Sequence, residues 1–251
     1  MPKTVLITGA TAGFGKAMAE RYAAEGWKII ITGRREERLA QIKEALAPAQ
    51  VHTLCYDVRD RQAAFDAVAG LPGEFAEVDV LVNNAGLALG MEPAQECDLD
   101  QWETMIDTNI KGLMYMTRAL LPGMVERDRG HIVNLGSVAG TYPYPGGNCY
   151  GGTKAFVNHF SKNLRSDLLG TKIRVTNVEP GLCETEFSVI RFGGDKIQAD
   201  KVYEGMQPIV GEDIAEIVYW ATTLPAHVNI NSLEVMPVAQ AFSPFAVHRE
   251  K

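Results

Sequence analysis

Strand-like and helix-like segments alternate along this chain from one end to the other, and that alternation restricts the fold more than any other feature. Val5-Leu6-Ile7 is a short apolar run closed by Gly9, and residues 16–25 then read at helical spacing. Further strand patterns fall at 28–32, 51–56, 78–82, 131–135, 174–178 and 233–236. Helical patterns lie between them at 36–46, 61–69, 100–121 (with a break expected) and 150–168. The strands are continuous Val/Ile/Leu runs, as strands covered on both faces require. Repeated βα units with right-handed crossovers build a doubly wound parallel sheet. The expectation is one α/β domain over residues 1–251, with a parallel sheet of about seven strands flanked by helices. The stretch 181–211 departs from the pattern. It is long and weakly helical, which marks a lid or substrate loop.

Composition removes several function classes. A net charge of -7 lacks the basic balance of a nucleic-acid binder. No apolar run approaches the ~20 residues that span a bilayer. Cys55, Cys97, Cys149 and Cys183 form no C-x-x-C pair and lie near no His cluster, so no metal site or disulfide framework is expected. Met1-Pro2-Lys3-Thr4 runs straight into the first strand pattern, without charged and apolar targeting regions, so a cytoplasmic location is expected.

The turn Thr8-Gly9-Ala10-Thr11-Ala12-Gly13-Phe14-Gly15 joins the first strand to the first helix. Glycines there let backbone approach a pyrophosphate, and the helix N-terminus offers N–H groups to the anion. The spacing is G-x-x-x-G-x-G, and a tight βα loop without a ligand is the competing reading. After the second strand, where an Asp or Glu would accept from a ribose 2′-hydroxyl, the chain has Gly33-Arg34-Arg35. Guanidinium groups suit a 2′-phosphate, so NADP(H) is expected over NAD(H), with Arg34 the nearer contact. A solvated start to a charged helix would have the same residues. Asp57-Val58 and Asn83-Asn84-Ala85-Gly86 follow the third and fourth strands, at the carboxyl edge where ligands bind.

Tyr150 and Lys154 are four apart and share a helical face. A phenol titrates near ~10, and about 3 units, or roughly 4 kcal/mol, separate it from a base at neutral pH. An adjacent ammonium and the positive nicotinamide of NADP+ both favour the phenolate. Such a pair also arises by chance on amphipathic helices. Gly151 and Gly152 tilt the reading, since each costs a helix about 1 kcal/mol and calls for a close neighbour. Ser137, after the strand at 131–135, lies at the same sheet edge, where a hydroxyl can hold a substrate oxygen. Asn109 sits inside a helical pattern that it disfavours, which fits a local break.

Residues 8–15 and 83–86, with Asn109, Ser137, Tyr150, Lys154 and Pro180-Gly181, together resemble the motif set of the short-chain dehydrogenase/reductase family across nearly the whole chain. The resemblance implies a Rossmann-type fold and an NADP(H)-dependent oxidoreductase. It makes Tyr150 the acid/base, has Lys154 lower its pKa and bind the nicotinamide ribose, and gives Ser137 the substrate oxygen. Asn109 would complete a proton relay through water, and Thr185, with Pro180 and Gly181, would contact the cofactor. Leu87-Ala88-Leu89-Gly90, Tyr144-Pro145-Gly146-Gly147-Asn148, residues 184–188 with Arg191-Phe192, and 224–231 resemble the NADP-dependent 3-hydroxy acid dehydrogenases and the related sulfoacetaldehyde reductases of that family. That subgroup implies a homotetramer and a short anionic aldehyde with its alcohol as the substrate pair.

A small anion needs a cationic anchor, and Arg191 in the lid region is the candidate, against the alternative of a surface Arg on a loop. Asn148, Gly147 and Leu182 are expected to shape the same site. Two other functions stay open: a non-catalytic NADP(H)-binding regulator, and a reductase of bulkier ketones. The tail 238–251 is either an assembly surface or a lid for a neighbouring subunit.

Overall fold

In the computed structural model, residues 3–242 are described. Seven parallel strands form one sheet in the order β3-β2-β1-β4-β5-β6-β7. They are β1 (Thr4–Ile7), β2 (Lys28–Gly33), β3 (Val51–Cys55), β4 (Val80–Asn83), β5 (Gly130–Leu135), β6 (Ile173–Pro180) and β7 (Ser232–Val235). The winding direction reverses between β1 and β4, and a crevice opens at their carboxyl ends, as such reversals require. Successive strand residues feed opposite layers. Val5 and Ile7 pack in one core with Met18, Tyr22 and Val218, while Leu6 joins the other with Met116, Leu120 and Leu164. Both layers are apolar, which is why the strands read as unbroken runs rather than as alternation.

On the first face lie α1 (Gly13–Ala24), α2 (Glu36–Ala45) and α9 (Gly211–Thr223); α9 packs along α1. On the second lie α3 (Arg61–Ala69), α5 (Leu113–Glu126) and α6 (Asn148–Asp167). α1 starts three residues before the helical periodicity does, because Gly13-Phe14-Gly15 make its first turn without the propensity that would announce it. The break expected in 100–121 is a widening rather than a gap. α4 (Leu99–Ile106) passes through a π-helical stretch, Asp107–Gly112, into α5, which continues past Pro122. A Cβ on Gly112 would lie 2.9 Å from the Val58 side chain, so the loop after β3 presses on the helix at this turn.

A buried polar row crosses the sheet beneath the crevice. Asn83, Asn134 and Asn177 stand in register on β4, β5 and β6. Asn83 donates to Thr117 of α5 and to Asn134, and Asn134 donates to Ser161 of α6, at 2.8–2.9 Å. Such bonds are directional where apolar contacts are not, so they set the height of both helices against the strands.

Segment 181–211 carries two short helices, α7 (Glu186–Arg191) and α8 (Lys196–Lys201), and its ends meet in a parallel bridge between Cys183 and Ile209. Of the tail, Phe242 lies 5.4 Å from the Tyr142 ring; the rest of 238–251 beyond it, like Met1 and Pro2, falls outside the described residues. Among the described residues, no helix is long and apolar enough to cross a membrane.

Candidate active site

One cavity of about 790 Å³ runs along the carboxyl edge of the sheet, from the glycine turn after β1 to Tyr150 on α6. At its start Gly9 and Gly13 adopt φ of 66° and 51°, a region that side-chain-bearing residues avoid. α1 then begins without a side-chain cap and without an acidic residue in its first turn. Its free N–H groups and positive dipole end face the cavity beside Thr11 and Phe14, a cradle suited to a diphosphate. Thr8 and Gly15 do not line the cavity. Thr8 is buried and accepts from the backbone N–H groups of Asn84 and Ala85, both at 3.0 Å. A Cβ on Gly15 would lie 2.6 Å from the Asn84 amide, and that amide donates to Thr8 O and Gly9 O. Both residues hold the shape of the cradle from behind, by tying it to the turn after β4.

Arg34, Arg35, Asp57 and Val58 line the outer end. Arg34 stands 3.8 Å from Asp57, which also accepts the Arg59 guanidinium. Burial acts to raise the Asp57 carboxyl, but hydrogen bonds from Arg59 outweigh it and hold the group below the usual carboxylate range. Arg35 donates to Thr11 at 2.7 Å, which joins the arginine pair to the glycine turn. The cavity therefore offers N–H groups for a diphosphate and, one strand over, cations for a further phosphate. These residues fit a phosphorylated dinucleotide.

At the inner end Tyr150 and Lys154 are both buried, on one face of α6. Close backbone approach holds that helix in place. A Cβ on Gly151 would lie 2.9 Å from Ala139 O, and one on Gly140 would lie 2.7 Å from the Lys154 carbonyl carbon. The loop carrying Ser137 thus rests directly on the helix carrying Tyr150. Gly152, by contrast, has nothing within 4 Å, so the expectation of a close neighbour holds at Gly151 alone.

Burial pushes the Tyr150 phenol well above its ordinary value, and the bond with Ser137 and the Arg191 charge only partly oppose this. Burial also lowers the Lys154 ammonium to about 8. Lys154 Nζ donates to Leu135 O at 2.7 Å and stands 5.8 Å from the centre of the Tyr150 ring. Among the protein's own groups burial is the larger influence on the phenol, and the Lys154 ammonium is engaged by Leu135 O. Asn109 sits in the π-helical stretch, with its carboxamide committed to Leu87 and Thr153 rather than turned into the cavity.

Above Tyr150 lies α7, contributing Phe187, whose ring centre is 5.6 Å from that of Tyr150, and Arg191. The Arg191 guanidinium sits 5.7 Å from the centre of the Tyr150 ring and 5.3 Å from that of Tyr144. Asn148 does not line the cavity. Its amide donates to Glu92 O and to Cys97 Sγ, because the first turn of α6 points it at the loop after β4. Gly147 lies beneath the Tyr144 ring, and Leu182, with Pro180, Gly181 and Thr185, lines the cavity wall. Tyr144 and Phe187 were not among the site residues expected from sequence, although both fall in segments that carry the subgroup resemblance; residue type alone does not distinguish a cavity aromatic from a packed one.

Residues 3–191 match the family model described as short chain dehydrogenase. Over 246 residues the chain is 59% identical to the NADP-dependent 3-hydroxy acid dehydrogenase of Salmonella typhi, covering 98% of this chain and 99% of that one. It is 55% identical to sulfoacetaldehyde reductase 2 of Chromohalobacter salexigens, over the whole of both. A solved structure, the closed form of serine dehydrogenase complexed with NADP+, superposes with a TM-score of 0.93 at 57% identity, covering 98% of this chain and all of that one. With its crevice at the strand reversal and its Ser137, Tyr150 and Lys154 at one end of it, this chain belongs to the short-chain dehydrogenase family.

Proposed function

We propose that this protein is an NADP(H)-dependent oxidoreductase that interconverts a short anionic aldehyde and its alcohol, of the 3-hydroxy acid or the sulfonate type. NADP(H) is held by the turn containing Gly9, Thr11, Gly13 and Phe14, by Arg34 and Arg35, by Asp57 and Val58, by Asn84, Ala85 and Gly86, and by Pro180, Gly181 and Thr185. When bound it supplies or accepts the hydride at the substrate carbon. In the reducing direction Tyr150 Oη gives a proton to the carbonyl oxygen, and a positioned acid of this kind contributes on the order of 10²–10⁴ in rate. Ser137 holds that oxygen beside the phenol, Lys154 binds the nicotinamide ribose, and Asn109 keeps the surrounding loop in place.

The observation that carries the substrate class is the Arg191 guanidinium over the Tyr150 ring, a cation 5.7 Å from the centre of that ring in the same cavity. The segment 181–211 acts as the lid of a single domain spanning 1–251, and the protein works as a cytoplasmic homotetramer.

The test is steady-state NADPH oxidation, with NADH in parallel, against malonic semialdehyde, sulfoacetaldehyde and a neutral aldehyde of equal size. A strong preference for one anionic aldehyde supports the reading and names the substrate. Equal rates on the neutral aldehyde would make the protein a general carbonyl reductase. No turnover with tight NADPH binding would favour bulkier substrates or a regulatory role.

A further inference from the structure

α7 has six residues, too few to persist as a helix without outside support. Two of its supports lie at its ends, and in its middle Ser188 pairs with Tyr203 at 2.6 Å. At the amino end Thr185 caps the helix, accepting from Phe187 N–H at 3.2 Å. The next residue, Glu186, accepts from Arg38 Nη1 with both carboxylate oxygens, at 2.9 and 3.1 Å, and lies 3.6 Å from Arg35. At the carboxyl end the Arg191 guanidinium donates to Gly90 O at 3.3 Å and Gly146 O at 3.5 Å.

Arg38 and Arg35 sit on or beside α2, next to the expected 2′-phosphate subsite, whereas Arg191 stands over Tyr150. Arg35 lines the cavity and Arg38 does not. The Arg38–Glu186 pair therefore joins the helix bearing the substrate anchor to the helix beside the phosphate subsite, through a cation with no cofactor contact assigned to it.

We propose that Glu186 is a positioning residue that latches α7 to α2 through Arg38, and so sets where Arg191 stands over Tyr150. The proposal rests on the reading of Arg191 as the anion anchor. The pair is half exposed, so its effect is modest, no more than about fivefold. The bland alternative is an acidic residue in a first helical turn acting on the helix dipole alone. That role needs no partner on α2.

The test compares Glu186→Gln, Arg38→Gln and the double variant, each with NADPH bound. It reads hydrogen exchange of the α7 amides together with kcat and KM for an anionic and a neutral aldehyde. The latch predicts that both single variants speed α7 exchange and raise KM for the anionic aldehyde by about two- to fivefold. KM for the neutral aldehyde stays level, and the double variant is no worse than either single one. Three results would overturn it: Arg38→Gln leaving α7 exchange unchanged, the two single effects multiplying in the double variant, or a change confined to NADPH affinity. If α7 exchange responds as expected but no anionic aldehyde turns over, the latch stands and the substrate reading fails.

Discussion

The Asn109 carboxamide takes up both backbone polar groups of Leu87: Oδ1 accepts from Leu87 N–H at 2.9 Å and Nδ2 donates to Leu87 O at 2.8 Å. A second bond from Nδ2 reaches Thr153 on α6 at 3.0 Å. One side chain thus fastens the loop after β4, the π-helical turn and α6. Asn109→Ala leaves these groups unpaired and is expected to cost about 1–3 kcal/mol in denaturant unfolding. It should also lower kcat by on the order of 10-fold or more through misplacement of the loop. Unchanged stability would remove the clasp as its main role.

Neighbouring glycines on α6 should respond with opposite signs. Gly151→Ala drives a Cβ against Ala139 O and is expected to destabilise by about 1–3 kcal/mol, with lower activity. Gly152→Ala meets nothing and removes a helix penalty, so it should stabilise by about 1 kcal/mol with activity kept. Thermal melts of the pair decide it.

Arg34 and Arg35 should determine cofactor choice. Replacing either with Ala removes a charged donor to the 2′-phosphate, for a loss of about 1.5–3 kcal/mol and at least a roughly 10-fold rise in KM for NADPH. KM for NADH should hardly move. Parallel losses with both cofactors would mean the arginines only shape α2.

Arg191→Ala should raise KM for the anionic aldehyde by about 10- to 100-fold, the value of a charged hydrogen bond. The neutral aldehyde should be affected far less. Equal losses on both substrates would take Arg191 out of the substrate site.

His131 sets an acid limit on stability. It is buried on β5, with Nε2 paired to Thr176 at 2.8 Å, and burial followed by the Arg174 charge holds its pKa well below the ordinary value. The folded state keeps this ring neutral while the unfolded chain takes up a proton below about pH 6.5. Its contribution is complete above that pH and falls as pH drops toward the folded pKa, by about 1.4 kcal/mol per pH unit. His131→Gln should flatten the acid limb of stability against pH by one proton; an unchanged slope would place the loss elsewhere.

The strand runs, the glycine turn, Arg34-Arg35 and the Tyr150/Lys154 pair were legible in the linear sequence. Each is a local demand: both-face burial leaves an apolar run, a tight approach leaves glycine, and four residues of helix bring two side chains together. The order of strands was not legible, since it depends on which crossovers pack, and neither was the π-helical form of the break at Asn109, which answers pressure from a distant loop. Residue type indicated that Thr8, Gly15 and Asn148 matter near the site, but only the tertiary structure decided that they face away from the cavity. The burial of Tyr150 and Lys154 was decided there as well. Spacing placed the two on one helical face, yet desolvation is a property of the whole enclosing fold, and it pushes the phenol up and the ammonium down.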